Sequence, residues 1–228
     1  HLGLSPQAFH GKGIWGTYAD AVIPGLHVVE GGQTSTGSVV SWIRRTLGNA
    51  SYDELNHEAA QLEPGSEGVV IQEHFQGNRT PHTDPLSRGA ISGLTLKHGR
   101  GHLFRAALEG IAFGTELILE TMRNNGFAAE TVVLAGGATR SNLWLQIHAD
   151  VSNLPLTLTK VPDAPALGSA ILAAVGSGAF SDIRSAARKM VQVDRVIEPN
   201  QATHESYQTF YQIYREHYLA MKNARAAF

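Results

Sequence analysis

The chain has no cysteine, which excludes disulfides, thiolate metal sites and a cysteine nucleophile and agrees with a reducing compartment. The cytoplasm is the expected location. It lacks a charge excess too: 18 Lys and Arg stand against 20 Asp and Glu, mixed along 228 residues. No field of one sign invites a nucleic-acid backbone or an anionic membrane, so neither is expected as a partner. The longest weakly polar run, Ala164 to Phe180, is broken by glycine, serine and proline and falls short of a bilayer span. The opening HLGLSPQAFHGKG has neither an initiator Met nor a basic-then-apolar leader, so it reads as a chain cut from something longer, without an export signal. The Walker A pattern, with its Gly-Lys-Ser/Thr ending, is also missing.

What is present is apolar periodicity and glycine. With 43% hydrophobic residues the chain can fill a sizeable core, and without repeats, low-complexity tracts or linkers a single domain over 1–228 is the simpler reading. Gly13 to Gly32 reads as short strands and turns, among them Leu26 to Val29. Thr34 to Leu47 has the helical period, with Val39, Val40, Ile43 and Leu47 on one face. Ser51 and Glu54 have the capping-box form and open a second helix toward Leu62, ended by Pro64-Gly65. Val69 to Ile71 predicts a buried strand, Gly77 to Arg88 a polar loop, and Gly101 to Asn125 a long helix stopped by Asn124-Asn125-Gly126. Strand 131–134, helix 141–151, strand 156–158 and helix 166–176 then alternate, which argues for an α/β layered fold. A short helix follows Ser181-Asp182. Tyr207, Tyr211, Tyr214, Tyr218 and Met221 form a stripe on a last helix, packed either inside the domain or against a second copy in a homodimer.

Several polar residues read as structural. Glu73-His74 with His82 and Asp84 fits no established metal-ligand spacing and reads as a polar loop, so no metal ligand is assigned. Glu109 and Arg105, four apart, read as a helix-surface ion pair. Asp150 reads as a pair or cap, and Asp163 as the start of the next helix. Gly168 and Ala173 read as a small-residue face packed close under the preceding loop. None of these is assigned a catalytic role.

The stretch LAGGATRSNLW, Leu134 to Trp144, empties a strand into Gly136, Gly137 and Ala138 just before a helix. Such a turn leaves backbone N–H groups unblocked at the positive end of a helix dipole, where phosphates or the face of a base can approach. Gly136 and Gly137 lack a Cβ, and Ser141 is placed to cap the helix and offer a hydroxyl. A tight turn with no ligand satisfies the same residues.

Larger patterns separate the two readings. Gly89 to Glu109, GAISGLTLKHGRGHLFRAALE, resembles the second signature of the FGGY carbohydrate kinases: Ile91, Gly93-Leu94, a seven-residue spacer, His102-Leu103, Ala106, Ala107, Leu108 and Glu109. GGATRSNLWLQIHADV resembles that family's adenine-binding motif, with Trp144, Gln146, Ala149 and Asp150 in its continuation. Ala166 to Ala170 resembles its ALGAA helix, and Glu30 to Gly37 the segment leading into a nucleotide-contacting helix.

The resemblance implies an α/β fold of the actin-like, ribonuclease H-like ATPase type, a mixed sheet with helices on both faces. It implies the C-terminal, ATP-binding half of a two-domain sugar kinase, whose N-terminal domain is the expected partner. The family's catalytic aspartate and phosphate-gripping Gly-Thr loop correspond to positions upstream of His1, so no catalytic residue is assigned. ATP and Mg²⁺ are the implied cofactors. By position, Gly136, Gly137 and Ala138 line the adenine, Ser141 faces purine or ribose, and Gly37 and Ser41 approach ribose and phosphates. Glycerol-kinase members carry a longer polar chain where Ser41 stands and an Asn where Ser141 stands. Gly13 to Tyr18, Val29 to Gln33 and Phe75 to Pro81 look more like ribulokinase-type pentulose kinases, implying a ketopentose such as ribulose, with glycerol or another polyol as the alternative. A non-catalytic actin-like nucleotide-binding or interaction domain is the competing reading.

Overall fold

The computed structural model describes residues 1–225. Strands β1 (Leu2–Ser5), β2 (Trp15–Ala19) and β3 (His27–Glu30) form an antiparallel sheet in the order β1-β3-β2. Helix α1 (Gly37–Thr46) follows and buries Val39, Val40 and Ile43, the face its period predicts. Ser51 then caps α2 (Tyr52–Ala60) in a complete capping box, donating nothing to chance: Glu54 N–H meets the Ser51 hydroxyl, and Ser51 N–H meets the Glu54 carboxylate.

The core forms around α3 (Arg100–Asn124), which passes beneath the short antiparallel pair β4 (Val70–Gln72) and β5 (Ala90–Ser92). Phe104, Leu108, Ile111 and Ile118 on α3 are almost wholly buried. Two glycines inside this helix answer a packing demand. A Cβ on Gly110 would lie 2.1 Å from the Ile71 carbonyl oxygen, and one on Gly114 2.2 Å from Gln33 Nε2 and Glu73 Oε1. The backbone and side chains of neighbouring elements occupy that space. The helix ends as expected in a left-handed residue, Gly126 at φ 94. Gly126 N–H bonds Arg123 O and Phe127 N–H bonds Met122 O, the paired closure of a Schellman cap.

The C-terminal half alternates as predicted. Strand β6 (Val132–Leu134) leads to α4 (Asn142–Ser152), β7 (Leu156–Thr159) pairs parallel to β6, and α5 (Ala164–Gly176) and α6 (Ile183–Met190) follow. A further strand, β8 (Val193–Ile197), pairs antiparallel to β7 and makes the sheet mixed. It carries no clean apolar alternation and four of its five residues are exposed, so no period of two marks it. Helix α7 (Gln201–Arg225) closes the fold, with Tyr207, Tyr211 and Tyr214 buried against the α3–β4 core and Tyr218 buried against His82. The tyrosine stripe therefore packs within the chain; Met221 lies half-buried at its end.

Two sequence expectations need correction. Arg105 and Glu109 do pair, at 2.8 Å, but both are buried, at 5% and 1% exposure. Glu109 also accepts from Gly65 N–H, the Ser66 hydroxyl and the Tyr207 hydroxyl. Arg105 in turn donates to Ala59 O and the Tyr207 oxygen. The pair is thus the polar joint between α2, α3 and α7. Burial pushes the Glu109 carboxyl up, and Arg105 with the Gly65 and Ser66 donors pulls against it. The second correction concerns Gly168 and Ala173. A Cβ on Gly168 would meet nothing within 4 Å, and Ala173 is exposed, so no close packing explains the small residues of α5. Asp150 and Asp163 behave as expected, Asp150 accepting from Asn200 N–H at the start of α7 and Asp163 capping α5 through Ala166 N–H.

Candidate functional site

Two cavities meet where the N-terminus of α1 faces the turn after β6. The outer one, about 400 Å³, is lined by Gly37, Tyr52, Asp53, Asn56, Arg140 and Ser141 together with Gly137. The inner one, about 290 Å³, is lined by Gln33, Thr36, Gly37, Gly137, Ala138 and Trp144 among others. Gly37 and Gly137 are shared by both. The outer cavity offers an aromatic wall with several polar edges. The inner one is largely apolar, and His148 in its wall is held neutral by burial, which pushes it down to about 4.

The loop that delivers α1 to this place is tied down residue by residue. Gly32 N–H donates to the Thr80 hydroxyl and the Thr34 hydroxyl to Gly77 O. Gln33 Nε2 donates to Glu73 Oε1 at 2.9 Å and to Ile111 O at 3.0 Å, while the Thr115 hydroxyl donates to Gln33 Oε1. Glu73 takes a second donor, the Tyr214 hydroxyl, at 2.7 Å. Burial pushes its carboxyl up to about 7 against both donors. A carboxyl raised on folding contributes stability that is full below its unfolded value of 4.5 and is lost as pH rises through 7. Glu73→Gln removes that titration and can donate to the Tyr214 oxygen. Its stability relative to the parent is expected to rise between pH 5 and pH 8, by up to about 3 kcal/mol at 1.36 kcal/mol per pKa unit. Urea unfolding of both proteins at the two pH values measures this. Glu116, also raised to about 7 by burial, is common to both and cancels.

The turn after β6 divides the roles of its small residues. Gly136 has φ 90 and donates its N–H to Pro162 O at 3.2 Å, so the turn itself requires glycine there. Gly137 begins a single 3₁₀ turn, Gly137–Arg140, that intervenes before α4. Its φ is not in the left-handed region, and a Cβ on it would meet nothing within 4 Å. Gly37 likewise would meet nothing. Among the described residues, the N–H groups of Gly137 and Ala138 meet no acceptor. Ser141 caps α4 through Trp144 N–H, but its hydroxyl donates to Asn56 Oδ1 at 2.6 Å, which directs that hydrogen at α2. Ser41 lines neither cavity, and its oxygen accepts from Arg45 Nη1. Gly136 also lines neither.

Sequence reasoning missed Tyr52, Asp53, Asn56 and Arg140, which shape the outer cavity. Asn56 meets Ser141 across 85 positions of chain, and no local pattern carries such a contact. The His74–His82 loop is a packed structural unit. His74 bonds Ser87 and Asn78, His82 stacks on Tyr218 at 3.7 Å, and Tyr218 reaches Asp84. No group of three or more histidine or carboxylate side chains converges on a metal position among the described residues.

Residues 1–177 match the model of the C-terminal domain of the FGGY family of carbohydrate kinases. A xylulose kinase of Staphylococcus epidermidis is 32% identical over 205 residues, covering 90% of this chain and 41% of its own. A ribulokinase of Shouchella clausii is 31% identical over 232 residues, covering 94% and 41%. The solved structure of a xylulose kinase from Rhodospirillum rubrum superposes with a TM-score of 0.84 at 28% identity, over 97% of this chain and 45% of that one. The chain spans less than half the length of the curated relatives it matches.

Proposed function

The chain belongs to the FGGY family of carbohydrate kinases, and from that premise we propose that it is the ATP-binding half of a kinase that phosphorylates a ketopentose. One observation carries the assignment of the nucleotide site. Gly37 and Gly137 line both cavities, adopt backbone conformations open to any residue, and face empty space where a Cβ would go. Neither the turn nor the packing calls for glycine, unlike Gly110 and Gly114, so the missing side chains leave room for something outside the chain.

ATP, when bound, supplies the phosphoryl group transferred to the sugar hydroxyl. In this reading the adenine lies over Gly137 and Ala138, whose free N–H groups face it or the ribose. Gly37, at the N-terminal end of α1, allows ribose and phosphates to approach the positive end of that helix. Tyr52 and Asn56 wall the outer side, and Ser141 acts by fixing the start of α4 and its tie to Asn56. Mg²⁺ would come with the phosphates, and no residue of this chain is assigned as a metal ligand or a proton carrier. Catalysis by such a site is positioning and charge stabilisation, completed by closure against the sugar-binding half.

The ketopentose rests on the ribulokinase-like phrases at Gly13 to Tyr18 and Phe75 to Pro81, and on relatives named xylulose kinase and ribulokinase. Coupled ADP release by the longer protein carrying this chain tests it. Turnover with ribulose or xylulose at least tenfold above glycerol is expected. A preference for glycerol contradicts the substrate class, and no turnover with any polyol supports a non-catalytic nucleotide-binding domain instead.

A further inference from the structure

Gln72, the last residue of β4, is wholly buried, yet neither the nitrogen nor the oxygen of its side-chain amide has a hydrogen-bond partner. We infer that the cavity it lines, between α3, α7 and the loop after β4, is an accessory site for a small neutral polyhydroxylated molecule of the polyol or sugar class, anchored by that amide.

Buried amides are normally bonded, because an unmet donor or acceptor bears its whole desolvation cost. No other buried side chain among the described residues leaves two polar atoms unpartnered, and the strand itself does not call for an amide, since Val70 and Ile71 beside it are buried apolar residues. The cavity has about 330 Å³ and is lined by Gln72, His82, Leu117, Asn124, Tyr214 and Leu219 among others. A single water takes about 30 Å³ of the liquid. Small-molecule pockets run from about 300 to 1,000 Å³, so the space suits one small ligand.

The rest of the wall decides the class of ligand. His74 uses both ring nitrogens, on Ser87 and Asn78. The hydroxyls of Tyr214, Tyr218 and Thr121 donate to Glu73, Asp84 and Leu117 O. Charge is answered as well: Glu120 accepts from Arg215 and the Tyr211 hydroxyl, and Glu216, which is exposed, accepts from Gln212. Burial pushes His74 down to about 3 and His82 to about 4, so both rings are neutral. The groups left without a side-chain partner among the described residues are the Gln72 amide, the Asn124 amide and the His82 ring nitrogens, all of them uncharged. A buried ion would find no free opposite charge among them. Hydroxyls, each a donor and an acceptor at once, match amides and an imidazole, while Leu117, Leu219 and the Tyr214 ring offer apolar surface to the C–H groups of such a molecule.

This cavity shares no lining residue with either cavity of the nucleotide site, so binding here succeeds or fails independently of the nucleotide reading. Xylitol is the probe, titrated into the isotope-labelled longer protein that carries this chain. Saturable movement of the Gln72 side-chain amide resonance, together with the backbone amides of Leu117 and Tyr214, is expected at millimolar xylitol and should persist in saturating MgATP. Gln72→Leu keeps the volume and removes both orphaned atoms, and it should weaken xylitol at least tenfold as read at Leu117 and Tyr214. Leu219→Trp, placed at a residue 58% exposed on the cavity wall, should obstruct the cavity and cost the same affinity without touching the core. Absence of a saturable shift at Gln72, or parental affinity in both variants, overturns the site. Inorganic phosphate or ammonium moving the Gln72 resonance at lower concentration than xylitol overturns the ligand class.

Discussion

Gly137→Val is expected to weaken MgATP binding at least tenfold while leaving the melting temperature within about 2 °C of the parent. Tenfold in affinity corresponds to about 1.4 kcal/mol, a modest demand for a branched side chain placed where a purine should lie. The prediction separates ligand space from packing space because the two are distinct at this residue. A Cβ there meets no protein atom within 4 Å, and the backbone is not left-handed, so neither overpacking nor strain opposes the substitution in the absence of ligand. Titration calorimetry and thermal unfolding of the same samples read both halves. Unchanged affinity would show that the room at Gly137 serves no nucleotide. A large fall in melting temperature would show instead that the turn needs glycine for its own sake.

Arg105→Met should be the most damaging substitution away from the site. The guanidinium is the charge partner of Glu109 and also a donor to Ala59 O and Tyr207. Its removal leaves a carboxylate at 1% exposure with neutral donors only. Breaking a buried pair from one side costs about 3–5 kcal/mol, against about 0–1 kcal/mol for a surface pair. For a chain of this length that is a fall of roughly 6–20 °C in melting temperature at about 2–4 °C per kcal/mol. Arg105→Met with Glu109→Met, which removes both charges, should recover part of the loss. A single-variant loss below about 1 kcal/mol would contradict the buried joint described here.

The contrast between these two residues shows what the sequence could and could not disclose. Arg105 and Glu109 were recognisable as a pair from their spacing of four, because helix geometry is local. Their burial was not, because it depends on Tyr207 arriving from a helix 98 positions later. The same division runs through the fold. The α1 face, the Ser51 box, the Gly126 cap and the alternation from β6 to α5 follow from periodicity and turn chemistry, and all are present. Strand β8 escaped because an exposed edge strand has no core face to print a period of two.

In the candidate site, the glycines and Ala138 were visible as missing bulk after a strand. The division of labour between Gly136, a turn residue, and Gly137, an open one, was not, since both are the same letter. The α2 wall of Tyr52, Asp53 and Asn56 comes from a helix whose sequence advertises only its cap. Ser41 was placed by helix spacing from Gly37, yet the structure engages its oxygen with Arg45.

Residue-resolved amide shifts on adding MgATP test the nucleotide site most directly. The expected result is saturable shifts centred on Gly37, Gly137 and Ala138, spreading to Asn56 and Ser141. A folded sample whose shifts are absent at millimolar nucleotide, or cluster away from α1 and the turn after β6, would contradict the assignment.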